Sequence, residues 1–90
     1  MTEINKYTFT FASADHKNLD KVVEDMLAIE SPETSVEFKA LDAITDDSGV
    51  RSMRRRVIIR SSDEDIIDAI NHIDIPRSVS VRANGYATNS

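Results

Sequence analysis

Ninety residues, 40% of them apolar and 30% charged, suffice for one domain with one small core and exclude a disordered chain. The lack of cysteine excludes a disulfide framework and a thiolate metal site. A net charge of −5 excludes a uniformly basic polyanion binder, so any such site requires positive charge gathered on one surface.

No uncharged apolar run is long enough for a membrane-spanning helix, and Met1-Thr2-Glu3-Ile4-Asn5 lacks the basic-then-apolar layout of a signal peptide. A cytoplasmic protein without membrane contact is expected, organised as one domain over residues 1–90 with its core in 4–84.

Residues 5–12 alternate strictly, with Tyr7, Phe9 and Phe11 on one side and Lys6, Thr8 and Thr10 on the other, which predicts a half-buried strand. Ser13 offers a helix N-cap, with Asp15 in the first turn. Leu19, Val22, Val23, Met26 and Leu27 follow at helical spacing opposite Asp20, Lys21, Glu24 and Asp25, giving an amphipathic helix of about four turns that ends by Pro32. Residues 34–41 alternate again, with Val36, Phe38 and Ala40 inward and Glu37, Lys39 and Leu41 outward. The polar segment Asp42–Ser52, centred on Asp46-Asp47-Ser48-Gly49, reads as the turn joining two antiparallel strands.

The stretch from Arg51 to Arg60 holds five of the chain's eleven cations and the β-branched content of a strand. Alternation sends Arg54, Arg56, Ile58 and Arg60 to one side and Met53, Arg55, Val57 and Ile59 to the other. Unpaired charge is too costly to bury, so the arginine side must be uncovered. Ser62 with Asp65 resembles a capping box, followed by a helical stripe of Ile66, Ile67, Ala69, Ile70 and Ile73 that stops at Pro76. A last strand over Ser78–Asn84 turns Val79, Val81 and Ala83 inward and Ser78, Ser80 and Arg82 outward, and residues 85–90 read as a loose tail.

The order strand, helix, strand, strand, helix, strand predicts an α+β, ferredoxin-like βαββαβ sandwich: a four-stranded antiparallel sheet of order 4-1-3-2 with two helices on one face. Its open face would carry Lys6, Lys39, Arg54, Arg56, Arg60 and Arg82 against the single carboxylate of Glu37, while the acidic residues collect on the helical side. Such a face suits RNA phosphates or an acidic protein; it also suits plain solvation of an exposed sheet. An RNA-recognition motif is excluded, because that motif stacks bases on open-face aromatics and these aromatics lie on the other side. His16 and His72 fall on different helices without a second ligand at metal spacing, and the two glycines form no phosphate loop. Neither a catalytic set nor a metal or cofactor site emerges, and a non-enzyme is expected.

Two segments carry a family resemblance. Ser13-Ala14-Asp15-His16-Lys17-Asn18-Leu19-Asp20 resembles the strand-to-helix entry of the tenth small-subunit ribosomal protein family, in its archaeal form. So does Arg56-Val57-Ile58 running through Asp63-Glu64, Ile70, Ile73, Pro76 and Val79. The resemblance implies the same ferredoxin-like topology and binding to ribosomal RNA in the head of the small subunit, with Arg54, Arg56 and Arg60 on the strand that follows the family's long basic hairpin. Here the corresponding link, Leu41 to Met53, is short and carries Asp42, Asp46 and Asp47.

The leading expectation is therefore a ribosomal-protein-like module that binds RNA or a ribonucleoprotein through Lys6, Lys39, Arg51, Arg54, Arg56, Arg60 and Arg82. The alternative is a small acidic adaptor or inhibitor of a protein partner, such as a phage would encode. A third reading is a homodimer through the sheet face, with Ile58 and Leu41 at its apolar centre.

Overall fold

The computed structural model describes residues 4–86. It contains, in order, β1 (Asn5–Ser13), α1 (His16–Leu27), β2 (Thr34–Thr45), β3 (Arg51–Ser61), α2 (Ile66–Asn71) and β4 (Ser80–Tyr86). The four strands form one antiparallel sheet in the order β2-β3-β1-β4, which reads β4-β1-β3-β2 from the opposite edge. β3 and β1 are the inner strands.

One face of the sheet is covered. Phe11, Val36, Val57 and Ile59 lie in a single buried apolar cluster with Leu19, Val22, Val23 and Met26 of α1, Ile66 of α2, and Val79. Tyr7, Phe9 and Met53 pack against the same cluster, so the odd-numbered residues of β1 and β3 form the covered side. Phe9 and Phe11 stack with centroids 6.1 Å apart. At the edge of this layer the buried hydroxyls of Thr34 and Ser61 meet at 2.6 Å across the β2–β3 pair, satisfying two polar groups that burial would otherwise penalise.

The helix starts differ from expectation. Asp15, not Ser13, caps α1: its carboxylate accepts from the backbone N–H groups of Lys17 and Asn18 at 3.0 and 3.2 Å. Ser13 is the last residue of β1, where its hydroxyl donates to the Ser78 carbonyl at 2.8 Å and accepts from the Asp15 N–H at 2.9 Å. Asn18 adds a 2.7 Å bond to the Ser78 hydroxyl. Ser78 thus ties the start of α1 to the segment before β4 and is not part of the open face. α1 itself has 12 residues, a little over three turns.

The capping box expected at Ser62 and Asp65 does not form. Instead the Ser61 hydroxyl accepts from the Asp63 N–H and the Asp63 carboxylate from the Asp65 N–H. These local bonds hold residues 61–65 in turns and delay the helix to Ile66. α2 then spans only six residues, and the Ile73 N–H bonds back to Ile70, a tightened turn ending it well before Pro76. In so short a helix Ile67 falls outside the core and is 42% exposed.

The link from Leu41 to Met53 is mostly strand, not turn. β2 and β3 continue through an irregularity between Leu41 and Ile44 to a final pair, Thr45 opposite Arg51. Only residues 46–50 turn, with the Asp46 carboxylate accepting from the Ser48 N–H and hydroxyl and the Val50 N–H, and Gly49 supplying the positive φ of 88°. The 12-residue β2 is about 40 Å long, against about 18 Å for α1, so the helices cannot cover it. Phe38, expected in the core, lies on the covered side opposite the fully buried Val57, but on an edge strand, where it is 53% exposed, and Ala40 is exposed beside it. Val81, on the other edge strand, is likewise exposed. β4 extends through Gly85 and Tyr86, which the sequence assigned to a loose tail; residues 87–90 of that tail lie outside the described residues.

Candidate polyanion-binding face

The register builds the uncovered face row by row, since directly opposed residues of antiparallel strands share a side. One row runs Lys39–Arg56–Thr10–Arg82 across all four strands. The row beside it, towards the hairpin tip, is Leu41–Arg54–Ala12–Ser80. On the other flank Glu37, Ile58 and Thr8 align, and beyond them Ser35, Arg60 and Lys6. Across these four rows six cations therefore stand with one carboxylate.

That carboxylate pairs at the periphery. Arg60 Nη1 lies 3.3 Å from Glu37 Oε2, with the two side chains 41% and 65% exposed. A pair so open to water contributes at most about 1 kcal/mol and weakens in salt. It is the single ion pair among the described residues, which leaves Lys39, Arg54, Arg56 and Arg82 without a carboxylate partner there.

Arg54 is held differently. Its Nε donates to the carbonyl of Asp42 at 2.7 Å, and Asp42 lies in the irregular part of β2 between Leu41 and Ile44. The extra residue there turns a strand carbonyl from the ladder towards the arginine. Arg54, Arg56, Arg82, Thr10, Ser80 and Ile44 together line a groove of about 480 Å³ on the open face. The Ser80 hydroxyl donates to the Ala12 carbonyl at 3.3 Å.

Of the seven sequence-selected cations, the register brings six onto this face. Arg51 is the exception: opposite Thr45 and two residues from Met53, it stands on the other side of the hairpin. Ile44 was missed, because residues 42–52 read as a polar turn; the β-branched pair Ile44-Thr45 just before Asp46 was the available signal. His16 borders a second, shallow depression with Ser13, Lys17 and Ser78, but the Asp15 carboxylate already occupies the N–H groups of that helix start. Among the described residues no three His, Asp or Glu side chains gather as a metal site would need, and no helix is long and apolar enough to cross a membrane.

No protein-family model and no curated protein matches this sequence. Solved structures do resemble it. A dinuclear metal-binding peptidase of the M20 family from Bacillus subtilis aligns over 94% of this chain with a TM-score of 0.51 and 5% identity. A hydantoinase/carbamoylase family amidase from Burkholderia ambifaria aligns over 93% with a TM-score of 0.47 and 10% identity. This chain spans only 26% and 28% of those two chains. At such identity the first likeness concerns the fold alone.

Proposed function

We propose that this chain is a non-catalytic, ferredoxin-like module of the ribosomal-protein type that binds RNA, alone or within a ribonucleoprotein, through the open face of its sheet. The observation that carries the reading is the Lys39–Arg56–Thr10–Arg82 row, flanked by Arg54, Arg60 and Lys6, on a face whose one carboxylate is already paired at the edge. The element order and sheet order support the ferredoxin-like description. The face holds no aromatic on β1 or β3, so recognition works through phosphates and RNA shape rather than base stacking. The resemblance of residues 13–20 and 56–79 to the tenth small-subunit ribosomal protein family supports the same partner class.

Fluorescence anisotropy with a structured RNA at moderate salt tests the reading. Replacing Arg54, Arg56 and Arg60 together with glutamate abolishes binding; a wild-type protein with no RNA affinity sinks the proposal. If all six cations meet phosphates, log K falls with log salt at a slope of about −4 on single strands and about −5 on duplex. The rival reading, an acidic adaptor for a basic protein, draws on the exposed carboxylates of Asp20, Glu24, Glu64, Asp65 and Asp68 on the helical side. It predicts a single captured protein whose recovery nuclease leaves unchanged. A face-to-face homodimer about Ile58 and Leu41 would oppose six cations to six more, and the charge count disfavours it.

A further inference from the structure

The groove on the open face concentrates charge more than backbone docking requires. Arg54 and Arg56 are two residues apart on β3, about 6.7 Å along the strand, and Arg82 stands two strands from Arg56, about 9.6 Å across. All three border one cavity of about 480 Å³ that no carboxylate lines. Arg54 is fixed by its Nε bond to the Asp42 carbonyl, while its Nη1 and Nη2 have no partner among the described residues. A guanidinium anchored at Nε and free at its two outer nitrogens keeps a fork of donors for a phosphoryl group without spending side-chain entropy on binding.

We propose that this groove is a subsite for two closely spaced phosphoryl groups, the chemistry shared by a sharply turned RNA backbone and a free diphosphate. The proposal rests on the RNA-binding reading above and specifies which part of the RNA the groove takes. A single phosphodiester carries one negative charge and would leave two of the three guanidinium groups uncompensated; two phosphoryl groups brought together come closer to balancing Arg54, Arg56 and Arg82. Arg56 and Arg82 grip from opposite sides of Thr10, whose side chain is too small to fill the space between them, and Arg54 closes the hairpin end. Ile44 forms an apolar wall beside them, suited to a sugar rather than to a stacked base.

Two titrations of the full chain test this. In the first, backbone and arginine Nε resonances are followed on addition of inorganic pyrophosphate and, separately, orthophosphate. Pyrophosphate should saturate with shifts centred on Arg54, Arg56, Arg82 and Ile44, at least about tenfold more tightly than orthophosphate. In the second, affinity for an RNA hairpin with a three-nucleotide bulge is compared with that for an unbroken duplex of equal length. Arg82→Ala should erase the preference for the bulge, whereas Lys6→Ala should weaken both RNAs alike. Pyrophosphate saturation without any bulge preference assigns the groove to a free diphosphate. Equal response to pyrophosphate and orthophosphate, together with equal affinity for both RNAs, overturns the subsite and leaves general RNA binding standing. Failure to bind either RNA overturns the function proposed above, whatever pyrophosphate does.

Discussion

The two faces of the sheet are built from alternate residues of the same strands, and they solve opposite problems. On the covered side Phe11, Val57 and Ile59 are completely buried under α1. On the other, their immediate neighbours Thr10, Arg56 and Ile58 face outward on a side where cations predominate. One residue's difference in register thus separates the stability of the molecule from its binding surface. The same layering lets the surface tolerate so much like charge. Lateral repulsion between arginines in water is weak, and the acidic helical side supplies a compensating field through the thickness of the molecule. The hairpin tip belongs to neither regime: it extends past the helices, and a single carboxylate organises its turn.

Equal truncations on the two sides should separate the faces most sharply. Phe11→Ala removes a fully buried ring from the centre of the core and should cost about 3–5 kcal/mol in urea denaturation, enough to unfold much of the population. Thr10→Ala, one position away, should change stability by less than about 0.5 kcal/mol. Similar losses at both positions would mean that the open face is covered in solution. A medium effect is expected at Arg56. Arg56→Gln should leave the melting temperature within a few degrees of wild type and reduce the salt slope of RNA binding by about one. An unchanged slope would remove Arg56 from the phosphate contacts.

The smallest effect concerns the tip. The Ser48 hydroxyl, and after it the Val50 N–H, hold the Asp46 carboxyl below its ordinary value of 3.8. A depressed carboxylate stabilises the turn at pH above the unfolded value, and that contribution disappears as pH falls through the lower folded value. Amide exchange at Ser48 and Val50, corrected for intrinsic rates, should therefore accelerate only below about pH 3.8, with the core amides unaffected. Asp46→Asn should show the faster exchange at neutral pH as well. Exchange of those two amides that is insensitive to both changes would show that Gly49 alone sets the turn.

Strand alternation made much of the site legible beforehand. The outward set Lys6, Thr10, Lys39, Arg54, Arg56, Arg60 and Arg82 follows from period two alone, because each strand has one unmistakably apolar side. Period two does not reveal how far a strand continues once its apolar residues thin out. Residues 42–45 therefore looked like turn, and Ile44 and the Asp42 carbonyl escaped notice. Helix boundaries failed for a related reason. Ser13, Asp15, Ser62 and Asp65 are all plausible caps in isolation; the bond to Ser78 commits Ser13 and leaves Asp15 to cap α1, while turns held by Ser61 and Asp63 replace the box before α2.

By itself, then, the order of residues determined the strand faces, the helix stripe of α1 and the gathering of six cations on one side, since these depend on local periodicity. Tertiary structure decided which of those cations share a groove, that Phe38 stays exposed, and that Ser78 belongs to a joint rather than to the binding face. Each of these depends on how one segment lies against another, and that placement is set by contacts between segments far apart in the chain.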